Sequence, residues 1–221
     1  MFSPFSSFAA QGIFSFLEKM IYTLPVLLIA FPVHECAHAL MASALGDKTA
    51  KYQGRLTLNP LRHLDVMGTI CLLLFRIGWA KPVPIDPRNF KRPRLGMAIT
   101  ALAGPVSNLL MSVLSVFLLW LVEITAVFPF SVTQTVVTFL LVSAQINVGL
   151  FIFNLIPIPP FDGSRVLALF LSRDTEASFY HYQGAAQLVL MALLYLGFLS
   201  RPLIYVEQTV LQGILSIFAL A

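Results

Sequence analysis

An all-α polytopic membrane protein is the fold class this sequence predicts. Three observations predict it: a composition too apolar for a soluble domain, several uncharged runs of membrane-spanning length, and ionisable side chains set at the ends of two of those runs. Of 221 residues, 58% are hydrophobic and 11% charged, with a mean hydropathy of +0.85. A soluble domain carries about a quarter charged residues. About 20 apolar residues at 1.5 Å per residue cross roughly 30 Å of hydrocarbon.

Six apolar helical segments follow along the chain. The first, 13–45, begins after a stretch with neither a basic n-region nor a small-residue cleavage site, so it reads as a retained helix and not a signal peptide. Pro25 and Pro32 interrupt it, and Pro32 frees a carbonyl one turn back and can kink the span. The second, 66–79, is short for a span and has basic residues on both sides, which suggests a re-entrant or internally buried piece. Ahead of it, residues 49–59 have a glycine-centred break and alternation across Arg55, Leu56, Thr57, Leu58 and Asn59, which predicts a small interfacial β-hairpin. The third and fourth segments, 95–124 and 132–156, are long enough to span. The last two, 182–199 and 203–220, flank Ser200-Arg201-Pro202 and are expected to form a C-terminal helical hairpin over about 180–221. They either gate substrate entry or complete the bundle. The whole chain, 1–221, reads as one membrane-embedded domain with its core at about 13–172.

Charge placement orients the bundle. Ten of the 14 basic residues lie between the first and third segments: Lys48, Lys51, Arg55, Arg62, Arg76, Lys81, Arg88, Lys91, Arg92 and Arg94. By the positive-inside rule this region is cytoplasmic. The net charge of +4 is therefore topology and not a nucleic-acid footprint. The linker 125–131 has no Lys or Arg and belongs outside, so the fourth segment delivers its C-terminal end to the cytoplasmic face. Arg201, on the predicted outer side, runs against this topology.

His34-Glu35-Cys36-Ala37-His38 lies in the first segment. Residues i and i+4 of a helix sit about 40° apart, so two imidazoles so spaced can bind one zinc ion. The glutamate beside them is placed to take a proton from a water activated by that metal. The fourth segment ends in Asn154-Leu-Ile-Pro-Ile-Pro-Pro-Phe-Asp162-Gly163, where Pro157, Pro159 and Pro160 forbid a regular helix. Irregular backbone at membrane depth must line a shielded or wet cavity. An ionisable residue there is a functional candidate, so Asp162 is the natural third ligand. Helix N-capping is its competing role. The two cysteines, Cys36 and Cys71, imply no disulfide framework, and Cys36 points away from both histidines as a packing residue. His63 and His181 are isolated in sequence and receive no ligand role. Trp79 and Tyr182 read as interface anchors.

With these motifs, Gly54-Arg55-Leu-Thr-Leu-Asn59-Pro60 and Ala103-Gly104-Pro105-Val-Ser-Asn108 occur in the order found in the site-2 protease family. The chain resembles a compact, prokaryotic-type member of those intramembrane zinc metalloproteases over roughly residues 20–172, without a PDZ or CBS domain. The resemblance implies a three-helix catalytic core with His34 and His38 on the first helix and Asp162 after the third. It implies one Zn2+ per chain, a transmembrane protein substrate and a multi-pass place in the cell membrane, while the charge placement above puts the active site toward the cytoplasm. Glu35 is then the general base. Asn154 or Asn108 would serve the oxyanion or the substrate backbone, or else glue helices together. The expected hairpin edge at Arg55, Thr57 and Asn59 would pair with an unwound substrate, or else meet lipid headgroups. A non-proteolytic membrane zinc-binding protein or a divalent-metal transporter is the alternative class, although neither needs Glu35 between two ligands.

Overall fold

The protein is described by a computed structural model over residues 13–65, 67–68 and 80–220. Helix α1 (Ile13–Ala44) carries the histidines and runs through Pro25 and Pro32 as one element. Two single-turn helices follow, α2 (Thr49–Tyr52) and α3 (Pro60–His63), then a 3-10 turn at Pro87–Asn89. The long helices α4 (Pro93–Thr125) and α5 (Phe130–Asn154) come next, then α6 (Asp162–Ala168), α7 (Arg173–His181), α8 (Gln183–Tyr195) and α9 (Ser200–Ile217).

Among the described residues, three helices are long and apolar enough to cross a membrane: Met20–Ala44 of α1, all of α4 and all of α5. These are the first, third and fourth predicted segments. The second predicted segment, 66–79, lies outside the described residues except for Met67 and Gly68. The last two segments are not two antiparallel spans: α8 and α9 meet at 79° and together make at most one more. The reason is length and backbone. Thirteen residues of α8 rise only about 20 Å, too little for a bilayer, and Gly197 turns the chain at φ +82° before α9 begins.

The β-hairpin expected over 49–59 is also corrected, since no strand occurs among the described residues. Capping overrides the alternation. Asp47 accepts the Thr49 N–H at 3.0 Å at the start of α2, and Gly54, at φ +65°, turns the chain so that the Arg55 N–H reaches the Ala50 carbonyl at 2.9 Å. Asn59 then accepts the Leu61 N–H at 3.0 Å and caps α3, with Pro60 at its first position. The extended chain here is instead the segment after Ala80, where Pro82 and Pro84 fix φ and remove donors.

Helix α4 occupies the centre, packed against α1, α5 and α6. Its buried face is Ala98, Ala101, Gly104, Asn108, Ser112 and Ser115, small or hydrogen-bonding residues three or four apart. Between apolar helices in lipid, such residues permit the close backbone approach that hydrophobicity cannot drive. The Ser115 and Ser143 hydroxyls bond at 2.8 Å across α4 and α5. Lower in the bundle, Val116, Ala144, Val148 and Ile214 form an apolar cluster that seats α9 against α4 and α5. Arg94 bonds the Ala168 and Leu171 carbonyls at the C-terminal end of α6 and pairs with Glu176 at 3.2 Å, which ties α6 to the start of α4.

Candidate metal centre

His34 and His38 sit one turn apart on α1, buried at 7% and 6% exposure. Their Nε2 atoms are 3.0 Å apart, and each is 3.2 Å from Oδ2 of Asp162. A residue 124 positions along the chain from His38 reaches the pair because the proline-broken segment after α5 turns back into α6. Asp162 is the first residue of that helix. Phe161 holds the N-cap position without a side-chain cap bond, so the carboxylate turns to the imidazoles and not to backbone donors. Two glycines make room. A Cβ on Gly104 would overlap Nε2 of both histidines, and one on Gly163 would overlap the Leu155 carbonyl.

Two backbone carbonyls decide the state of both rings. The Thr100 carbonyl lies 2.8 Å from Nδ1 of His38 and can only accept, so Nδ1 carries the proton. For His34 the logic runs through two amides. The Ser143 carbonyl accepts from Nδ2 of Asn147 at 2.9 Å, which aims Oδ1 of Asn147 at Nδ2 of Asn108, also at 2.9 Å. That leaves Oδ1 of Asn108 facing Nδ1 of His34 at 2.6 Å, so Nδ1 is again the donor. Each ring therefore presents Nε2 inward.

With Nε2 deprotonated, two imidazole lone pairs and a carboxylate oxygen at 3.0–3.2 Å are the donor set that a shared metal cation holds together. Ligand bonds of about 2.0–2.1 Å in a tetrahedron put ligand atoms about 3.3 Å apart. The three side chains therefore fit a zinc ion on spacing and on donor type, and the two histidines also on their outer hydrogen bonds.

Glu35 stands beside this set but is not one of the three converging residues. The Val83 N–H donates to its Oε2 at 2.9 Å. The segment carrying Val83 is fastened at both ends. The Arg55 guanidinium, 7% exposed, bonds the Lys81 and Pro82 carbonyls. Asp47, fully buried, accepts from the Asp86 N–H at 2.7 Å and from Asn89 at 2.8 Å. Burial works against ionising Asp47, but Thr49, Asn89 and the Asp86 N–H outweigh it and hold the carboxyl below the usual carboxylate range.

Of the residues singled out in the sequence, the fold brings His34, His38, Asp162 and Asn108 together. Asn108 spends Oδ1 on His34 and Nδ2 on Asn147, so it orients the His34 ring. Asn154 donates from Nδ2 to the Leu150 carbonyl of its own helix at 2.9 Å. Arg55 is committed to the 81–82 backbone, the Thr57 carbonyl accepts from Nε2 of buried His63 at 2.8 Å, and Asn59 caps α3. Cys36 is a free thiol outside the metal-ligand group. Sequence reasoning missed Asn147, the Thr100 carbonyl, the Val83 N–H and Asp47. A buried amide inside an apolar span is a signal that could have found Asn147. Backbone groups give none.

Residues 22–197 match the model of peptidase family M50. The chain is 46% identical over 156 residues to YwhC of Bacillus subtilis (strain 168), a proposed zinc metalloprotease, covering 68% of this chain and 69% of that protein. It is 27% identical over 195 residues to Rip2 of Mycolicibacterium smegmatis, also a proposed zinc metalloprotease, covering 85% and 71%. No solved structure matches the chain significantly.

Proposed function

The chain belongs to peptidase family M50 and is an intramembrane zinc metalloprotease; from that premise we propose that His34, His38 and Asp162 hold its zinc and that Glu35 is the general base. The observation that carries this assignment is the convergence of two buried imidazoles, whose Nδ1 atoms are already bonded, with the carboxylate of half-buried Asp162. Zinc in such a site supplies Lewis acidity and lowers the pKa of water toward about 7.

The remaining chemistry belongs to the chain. Val83 occupies Oε2 of Glu35, which leaves Oε1 to take the proton of the attacking water and to return it to the departing amine. Thr100 and the Asn108–Asn147 pair hold the imidazoles in one tautomer, so no proton competes for Nε2. Asn154 keeps Oδ1 and one amide hydrogen for a substrate backbone. The substrate is a membrane protein whose helix must unwind locally, because a helical amide in lipid is hydrogen-bonded and hidden from water. The basic loop between α1 and α4, with Lys48, Lys51, Arg62, Lys81 and Arg88, supports a cytoplasmic orientation for this side.

The deciding experiment co-expresses the protein with a single-span substrate and compares wild type with Glu35→Gln. Cleavage should fall at least about 10²-fold with zinc retained. Equal cleavage sinks the mechanism, and metal uptake without cleavage favours a transporter.

A further inference from the structure

The bundle has a second polar feature at membrane depth that the chemistry above does not use. On α9, Leu203, Glu207, Val210, Leu211 and Ile214 recur at intervals of one to four residues on the side facing α5. The last three pack into or against the apolar cluster with Val116, Ala144 and Val148. Glu207 occupies a position of the same stripe with a carboxylate in place of an apolar side chain. It borders a groove of about 470 Å3 between α5 and the α8–α9 bend, lined by Gly149, Phe153, Leu194, Leu203 and Ile204. Ile204 is 50% exposed, so the groove opens sideways toward lipid.

Glu207 has no hydrogen bond or ion pair among the described residues. A Cβ on Gly149 would lie 3.9 Å from its carboxylate, so α5 presents bare backbone there and no side chain closes the space. Gly149 is two residues, about 3 Å of rise, from Asn147, which belongs to the chain that reaches His34. The carboxylate thus stands at nearly the depth of the metal centre, across α5 from it. A carboxylate facing hydrocarbon without a donor is costly. An acyl chain has no donor to offset that cost, whereas a helix bearing an ammonium or guanidinium group does.

Resting on the proteolytic reading above, we propose that Glu207 is a specificity-determining residue, which selects substrates whose spanning helix carries a basic side chain and pairs with that side chain in the α5/α8–α9 groove. Electrostatic complementarity in a low-dielectric groove fixes register as well as partner. The same contact therefore sets which peptide bond is offered to Glu35.

The test uses the full chain in nanodiscs and a leucine-based single-span substrate with Lys placed at successive positions over two turns. Wild type should favour the best Lys register over the all-Leu helix by about tenfold or more in kcat/KM. Glu207→Leu should bring that ratio to within about twofold, and Glu207→Lys should shift preference to a further substrate helix with Glu placed at the best Lys register, with zinc content checked in each variant. An unchanged ratio in Glu207→Leu overturns the proposal. Binding is read separately by photocrosslinking from position 204 in the inactive Glu35→Gln background. A Lys preference in crosslinking, with wild type cleaving no better than Glu35→Gln, overturns the proteolytic reading alone. Crosslinking to lipid and to both helices equally overturns the pairing itself.

Discussion

The two faces of α5 carry polar groups at nearly the same depth and treat them in opposite ways. On the α4 side, Asn147 is 1% exposed and its amide is held by the Ser143 carbonyl and by Asn108, in a chain that ends on the imidazole of His34, a proposed zinc ligand. On the α9 side, Gly149 leaves space and Glu207 faces a groove without a partner among the described residues. A buried polar network that is fully satisfied fixes one geometry, as a ligand set requires. A half-buried carboxylate that faces an open groove is free to take a partner that arrives.

The largest effect expected from breaking this contrast lies on the satisfied side. Asp162→Ala or His34→Ala should lower bound zinc from about one ion per chain to background by elemental analysis, and cleavage should disappear with it. Glycine substitutions compare the two faces directly. Gly104→Ala drives a methyl into both Nε2 atoms and should cost about 1–3 kcal/mol by thermal unfolding, with loss of zinc. Gly149→Ala meets only ordinary contact at 3.9 Å and should leave zinc content unchanged. Equal zinc loss from both would erase the distinction.

A subtler variant is Asn147→Leu, which should weaken zinc about 10–100-fold in a chelator competition because Asn108 loses its acceptor and His34 its fixed tautomer. The smallest effect belongs to the loop. Asp47→Asn should cost about 1–2 kcal/mol at pH 7, since Asp86, Thr49 and Asn89 share its carboxylate. The folded carboxyl is held below its unfolded value of about 3.9. Its contribution is therefore present above that pH and is lost as pH falls through the lower folded value. The gap in melting temperature between wild type and Asp47→Asn should narrow between pH 7 and pH 3, and a constant gap would show that Asp47 acts as a neutral spacer.

Legibility in the sequence followed the range of the interaction. The three spans were readable because about 20 uncharged residues have few other fates, and α1, α4 and α5 lie within a few residues of the predicted segments 13–45, 95–124 and 132–156. The 49–59 loop was misread because alternation over five residues is a weaker signal than Asn59-Pro60 as a helix start. The α8–α9 pair was misread because apolar composition does not show the direction a chain takes after Gly197.

The sequence by itself determined a membrane bundle with a zinc-type HExxH helix and a carboxylate delivered after the third long apolar segment, because spacing on a helix and solubility in lipid are local properties. Tertiary structure alone decided which atoms serve those residues. The Thr100 carbonyl, the Ser143 carbonyl and the Val83 N–H are backbone groups, a carbonyl on every residue and an N–H on every residue but proline, and only the packing of α1 against α4 and α5 and the fastening of 81–86 aim them. It also decided that Asn108 orients His34 and that Glu207 faces open space, since no periodicity records what lies across a helix.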